Sequence, residues 1–406
     1  MRIVIFTHPA FMASQSMPRF ARQLQRAYTA RGHEVTLWTP RALLRRWIDR
    51  GPLAKWAGYV DQYLLFPLWV RQAVAREPAD TLFVMADQAL GPWVPRVTHR
   101  PLVVHVHDLL ALRSALGEMP ENPTGFTGRL YQRYIRQGFS QARHFICISG
   151  RTRDDLLRLG QVRPRTLEVV HNDLNQRFDP LPPEQAHAVL QAAGLPITDA
   201  GLLLHVSGNQ WYKNVAGVVR LYAHYVRAQA HANVQPRALW LVGVRPDAAV
   251  QAALAEVPPQ GQVQLLYGLD HEALQAAYSL AGAFLFPSLA EGFGWPIVEA
   301  QACGCPVITT DDAPMNEIGG PEARYLPLLR AGDDPQAWAA HGARVLGEVL
   351  ATPPAEAERR RQGAIAWARG FGEERAIGHY LQVYERVLAQ AGAAPTSSPA
   401  SPRTTP

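Results

Sequence analysis

The stretch best equipped for chemistry is Pro287-Ser288-Leu289-Ala290-Glu291-Gly292-Phe293-Gly294-Trp295-Pro296-Ile297-Val298-Glu299. Two glutamates eight positions apart bracket a Gly-x-Gly turn that follows an apolar run and opens a helical one. Glycines in such a turn let backbone N–H groups approach a ligand, and a helix starting there favours an anion. Pro296 fits the first helical turn, where its missing donor costs nothing. Glu299 then falls about one helical turn inward, within reach of hydroxyls on a ligand resting on the turn. An ordinary βα turn with surface carboxylates reads the same way, so the motif alone leaves both readings open.

A second stretch, Val206-Ser207-Gly208-Asn209-Gln210-Trp211-Tyr212-Lys213-Asn214, also lies between an apolar run and a helical one. The chain has 40 Lys+Arg, yet only Lys55 and Lys213 are lysines. A lysine that survives such a bias points to a place that needs a compact ammonium, and beside a turn it can neutralise a phosphate. The plainer reading is a solvated lysine at a helix start. A third stretch, His105-Val106-His107-Asp108, ends an apolar run; it suits either a ligand contact or a satisfied local hydrogen bond.

Elements that could position these groups follow from the hydrophobic pattern. Short apolar runs at residues 2–7, 34–39, 81–85, 102–107, 144–149 and 167–171 alternate with amphipathic stretches such as 17–31 and 128–141. After a Pro-rich, polar passage at 175–198 the pattern restarts, with strands expected at 202–206, 238–242, 263–267, 283–287 and 307–310. This is the pattern of βαβ units in parallel sheets. It implies an α/β fold of two Rossmann-like domains facing a central cleft, residues 1–185 and 186–354, followed by a helical segment at 355–391. Residues 392–406 hold only Gly, Ala, Pro, Ser, Thr and one Arg and are expected to be a disordered tail.

Length and composition agree. A chain of 406 residues suits two or three domains, and 48% hydrophobic with 18% charged residues suits a soluble globular protein. No run of eighteen apolar residues could span a membrane, and the start lacks the small-residue cleavage site of a signal peptide. Three cysteines without metal-ligand spacing imply a reducing, cytoplasmic setting and neither a disulfide scaffold nor a zinc site. The net charge of +6 divides unevenly: residues 1–185 hold 25 basic and 15 acidic side chains (+10), and the rest hold 15 and 19 (−4). Within the basic half, Arg41, Arg45, Arg46, Arg50, Lys55, Arg71 and Arg76 interleave with Trp47, Trp56, Tyr59, Tyr63, Phe66 and Trp69. That mixture suits the cytoplasmic face of an anionic inner membrane, and the +10 balance of this half favours that reading over a plain basic surface with core aromatics; a nucleic acid could use the same composition, but none is expected as a partner.

Together these stretches resemble the retaining glycosyltransferases of GT-B architecture, in the group 1 family that carries an E-x7-E motif. The likeness spans nearly the whole chain and is most specific over residues 203–319. It implies that the second domain holds a nucleoside diphosphate sugar and that the C-terminal helix returns to the first domain. Lys213 would neutralise the diphosphate, and Glu299 would bind the ribose. Glu291, with Gly292, Phe293, Gly294 and Trp295, would hold the transferred sugar and phosphates; Gly208, Asn209 and Leu269 complete the donor set. His107 would face the donor sugar, and Glu317 matches a recurring structural position.

Two features depart from the family. The Gly-Gly pair common after the first strand is replaced by a loop in which Ser14, Gln15 and Ser16 are the candidate acceptor contacts. The arginine common just before the lysine is replaced by Asn209, Trp211 and Tyr212, leaving the diphosphate to Lys213 and backbone amides. The resemblance implies no metal and no cofactor beyond the nucleotide sugar, and a hydroxyl acceptor such as a lipid-linked or growing surface glycan. A nucleotide-sugar epimerase or a sugar phosphorylase on the same fold is the alternative. A basic nucleic-acid-binding protein is the alternative of another class, and no nucleic-acid motif supports it.

Overall fold

A computed structural model describes residues 1–12, 16–48, 50–174, 176–195, 197 and 200–392. The candidate acceptor residues Ser14 and Gln15, and the expected tail beyond Gly392, lie outside the described residues.

Among the described residues, twelve strands form two parallel six-stranded sheets. The first is built from β1 (Arg2–Phe6), β2 (Glu34–Trp38), β3 (Leu82–Met85), β4 (Leu102–Val106), β5 (His144–Cys147) and β6 (Thr166–Val169). Its spatial order is β2-β1-β3-β4-β5-β6. The second is built from β7 (Leu202–Val206), β8 (Ala238–Val242), β9 (Val263–Leu266), β10 (Ala281–Phe286), β11 (Val307–Thr310) and β12 (Arg324–Leu326), in the order β12-β11-β10-β7-β8-β9. Ile3, Val4, Ile5 and Phe6 are all buried, as expected where helices cover both faces of a parallel sheet. The apolar runs mark eleven of these strands. β12 escapes because it has three residues and sits half-buried at a sheet edge, too short to show a period.

The helix Glu373–Gly392 returns to the first sheet. Its buried residues Ala376, Ile377, Tyr380, Val383, Tyr384 and Val387 recur every three or four positions and pack against Ile3, Ile5, Val84 and Val103. Tyr384 shares a 2.7 Å hydrogen bond with His105 Nε2 and accepts one of 3.2 Å from the Tyr28 hydroxyl. The helix Glu373–Gly392 therefore shares one core with β1.

One contact sets how closely the first domain packs. Gly138, on the helix Phe126–Phe139, rests against the Gly91 carbonyl, so a Cβ at either glycine would overlap the other segment's backbone. Gly138→Ala should cost about 3 kcal/mol, the upper end for overpacking. Gly347→Ala, in open space on a helix, should be neutral or better. Thermal unfolding of the two variants checks this contrast.

Candidate active site

In an open parallel sheet, ligands bind beyond the carboxyl ends of the strands where the winding reverses. In the second sheet the reversal lies between neighbours β7 and β10. The loop after β7 carries Lys213, and the loop after β10 carries Glu291. The two side chains meet: Lys213 Nζ donates to Glu291 Oε1 at 2.7 Å, with both groups largely shielded from water. The ammonium lies over the rings of Phe286 (4.8 Å) and Tyr212 (5.3 Å), which hold it in place. Asn214 adopts the left-handed conformation and bonds through its amide to the Pro287 carbonyl at 3.1 Å, tying the two loops together.

Beside this pair the helix Trp295–Ala302 begins at Gly294, whose φ of 104° is open to glycine. Among the described residues no side chain caps that helix start, so its first amides and positive dipole end face the loop. One turn in, Glu299 Oε2 accepts a 3.1 Å hydrogen bond from the Tyr278 hydroxyl. Burial drives the Glu299 carboxyl up to about 7, against the pull of Tyr278 and of the Lys213 charge.

The first domain supplies the opposite wall, from the ends of β3 and β4. His107 is buried under Phe20, ring centroids 4.7 Å apart, and its Nε2 donates to the Ala86 carbonyl at 2.9 Å. Burial holds its pKa below the usual histidine value, so the ring is neutral and Nδ1 is a lone-pair acceptor. That Nδ1 is buried and, among the described residues, has no hydrogen-bond partner. Asp108 does not bond the His107 ring. It caps Leu110 at 3.0 Å, and burial, with the Asp87 and Glu291 charges, raises it to about 6. Gln88 brackets the strand end, accepting from the His107 amide and donating to the Asp108 carbonyl.

The two walls touch at Gly292. A Cβ there would overlap the His107 carbonyl oxygen and crowd Asp108. Ser149 Oγ donates to the Gly292 carbonyl at 2.9 Å, and Thr152 Oγ1 donates to the His107 carbonyl at 3.3 Å. Further along, Glu317 accepts the Gly150 amide at 2.9 Å and His171 Nε2 at 2.6 Å. Trp295 Nε1 donates to the Asp173 carbonyl at 3.0 Å. Glu317 and Trp295 therefore brace one domain against the other.

The remaining candidates are scattered around this core. Asn209 spends both ends of its amide on Arg245 in the loop after β8, at 2.8 and 2.7 Å. Gly208 lies against the Gln210 amide, and Leu269 is half-buried after β9. The Phe293 ring is core, packed on Phe371 and Trp295, so only its backbone can meet a ligand. Ser16 is exposed at the start of the helix Ser16–Ala30.

Sequence reasoning missed a pair at the reversal point of the first sheet, between β1 and β3. His8 Nε2 and Asp87 Oδ2 lie 2.8 Å apart there. Burial pushes the Asp87 carboxyl up, but the hydrogen bond and charge of His8 outweigh it and hold Asp87 below the usual carboxylate range. The strand order, had it been known, would have pointed to both loops.

Known proteins match over the same span. The family description Glycosyltransferase Family 4 fits residues 17–175, and Glycosyl transferases group 1 fits residues 201–348. The chain is 24% identical to the MMP alpha-(1->4)-mannosyltransferase of Mycolicibacterium hassiacum, over 84% of this chain and 79% of that protein. It is 28% identical to D-inositol 3-phosphate glycosyltransferase 1 of Catenulispora acidiphila, with the same coverage. Among solved structures, sucrose-phosphate synthase from Thermosynechococcus elongatus superposes with a TM-score of 0.68 at 19% identity, covering 96% of this chain and 100% of that one.

Proposed function

The chain belongs to the glycosyl transferases group 1 family, and on that premise we propose that it moves a sugar from a nucleoside diphosphate sugar to a hydroxyl acceptor, with retention at the anomeric carbon and without a divalent metal. The observation that carries this reading is the Lys213–Glu291 pair at the β7/β10 reversal point, beside the uncapped start of the helix Trp295–Ala302. A lysine ammonium and a helix dipole together make a field suited to a departing diphosphate. In this reading residues 1–185 receive the acceptor, residues 186–354 hold the donor, and residues 355–391 pack across both.

The steps balance without a protein nucleophile. The acceptor oxygen bonds to the anomeric carbon on the face from which the diphosphate leaves. The carbon–phosphate oxygen bond breaks, and the leaving phosphate takes the acceptor's proton. Glu291 orients the transferred sugar, and Glu299 accepts from the ribose hydroxyls. The unpartnered Nδ1 of His107 accepts from a sugar hydroxyl, a use that a buried lone pair calls for. Relatives named for mannosyl transfer and for glycosylation of inositol phosphate support a hexosyl donor and a role in building bacterial glycans. Three buried, unpaired cysteines suit the reducing cytoplasm, where nucleotide sugars are made.

Proton NMR of the product made in the presence of EDTA tests the reaction. Retained configuration and undiminished rate are expected; an inverted product, or activity lost to the chelator, would refute it. Donor turnover with no acceptor present would favour the epimerase or phosphorylase.

Glu299 adds a pH dependence whose sign is definite. Its carboxyl, raised to about 7 by burial, is mostly protonated at pH 6, whereas ribose hydroxyls need the ionised form as acceptor. Nucleoside diphosphate affinity should therefore rise about tenfold between pH 6 and 8, as one carboxylate ionises. The same burial means that the ionised carboxylate is costly to the unliganded fold above pH 7, and the cost vanishes on acidification. Glu299→Gln should bind weakly with a flatter pH profile, and should raise the unliganded melting temperature at pH 8 more than at pH 5. Calorimetric titrations across that range read the first effect, and thermal melts the second.

A further inference from the structure

The most conspicuous unexplained surface lies on the first domain, where residues 43–69 expose ten large apolar side chains. Among them Trp47 is 77% exposed, Leu53 67% and Trp56 66%. Soluble proteins do not leave so many large side chains together in water without a use for them. These residues lie in the loop after β2, the helix Gly51–Val60 and the segment running on through the helix Phe66–Arg76.

The patch continues onto a second element. Rings follow one another from Trp56 to Tyr59, from Tyr59 to Tyr63 and from Tyr63 to Tyr134, each step 5.9 Å between centroids. Tyr134 belongs to the helix Phe126–Phe139, whose exposed Phe126, Leu130 and Tyr134 recur every four residues along one stripe. Cations interleave with the rings: the Arg46 guanidinium lies 5.1 Å from the Trp47 ring and Lys55 Nζ 5.7 Å from that of Tyr59. Among the described residues, Arg41, Arg45, Arg46, Lys55, Arg71 and Arg76 form no ion pair with a carboxylate. Asp61 does not offset them from the surface, because it is buried and accepts the Leu44 and Arg45 amides, both at 2.9 Å. No described helix is long and apolar enough to cross a membrane.

We infer that this face docks the protein on an anionic phospholipid bilayer, with Trp47, Leu53 and Trp56 entering the headgroup boundary and the surrounding Arg and Lys meeting lipid phosphates. Exposed tryptophans and unneutralised cations on one face match that surface in polarity and in charge. The second half of the chain carries the opposite net charge and would be kept off the bilayer. The position of the face has a consequence for the substrate. Gly58 in the docking helix packs against the Phe11 ring, and Phe11 lies in the loop that leaves β1 at the reversal point of the first sheet. The acceptor side of the cleft would open beside the membrane boundary, so the hydroxyl acceptor would be an amphiphile held in the bilayer. This last step rests on the transferase reading above; docking itself does not.

Sedimentation with phosphatidylcholine vesicles containing about one third phosphatidylglycerol tests the docking. The protein should pellet with these vesicles and not with pure phosphatidylcholine, and its tryptophan emission should shift to the blue. Trp47→Ser/Trp56→Ser and, separately, Arg46→Glu/Lys55→Glu should each lower partitioning at least about tenfold, with unchanged melting temperature and unchanged nucleoside diphosphate binding. Lys213→Ala should pellet like the wild type, which separates failure of docking from failure of the donor site. No partitioning above the neutral-lipid background would overturn the proposal, as would partitioning that survives both double variants. So would a dimer in solution that Trp56→Ser dissociates with no vesicle binding, since a second copy would then be the occupant.

Discussion

Lys213→Ala is expected to lower kcat by about three orders of magnitude, the upper range for removing one preorganised charge from a leaving-group site. The ammonium is placed by two rings and one carboxylate rather than by solvent, so no reorganisation accompanies the build-up of charge on the diphosphate. The substitution also strands the Glu291 carboxylate in a largely shielded position, which costs stability in its own right. Lys213→Met/Glu291→Gln removes both charges, so it should recover the melting temperature without recovering turnover. Lys213→Arg should not rescue, because a planar fork cannot occupy the place of a compact ammonium between Tyr212 and Phe286. Steady-state kinetics on the three variants, beside their melting curves, separate the catalytic loss from the structural one.

Gly292→Ala should have the second largest effect, by a different route. Its new methyl would meet the His107 carbonyl and Asp108, so the loop after β10 could no longer lie against the end of β4. The hydrogen bonds from Ser149 and Thr152 that seal this contact would lengthen with it. A displacement of about 1 Å between reacting groups can cost a hundredfold in rate, and a loss of that order in kcat is expected. Nucleoside diphosphate affinity should fall less than turnover, because Lys213 and Glu299 lie outside the displaced loop, in the turn after β7 and on the helix Trp295–Ala302. A variant that loses more turnover than nucleotide affinity is the expected signature. Rapid-quench turnover with calorimetric binding on the same preparation measures both halves.

Much of this arrangement was legible in the chain before the fold was known. Fully buried parallel strands write themselves as unbroken apolar runs, which is why eleven of the twelve could be marked. The Glu291-to-Glu299 motif and the rare Lys213 were visible because local spacing and composition carry them. What brings Lys213 to Glu291, 78 positions away, is strand order, and no local pattern encodes it. The same limit hid His8 and Asp87, which join across 79 positions where β1 and β3 become neighbours. It also hid the part played by Gly292, which sequence places in a phosphate turn and the fold presses against the other domain. The basic, aromatic stretch was read as membrane face, nucleic-acid face or core. Burial sorts it residue by residue: Phe66 is core, whereas Trp47, Trp56 and Trp69 are exposed.

The donor site is the claim on which the enzymatic account depends, and binding tests it more directly than turnover with an unidentified acceptor. Isothermal titration of a panel of nucleoside diphosphates into the wild-type protein, Lys213→Ala and Glu299→Gln is that measurement. At least one diphosphate should bind the wild type and bind each variant at least about tenfold more weakly, the loss expected for one charged contact. If no diphosphate binds, or if both variants bind like the wild type, Lys213 and Glu299 do not form a nucleotide site and the account is wrong.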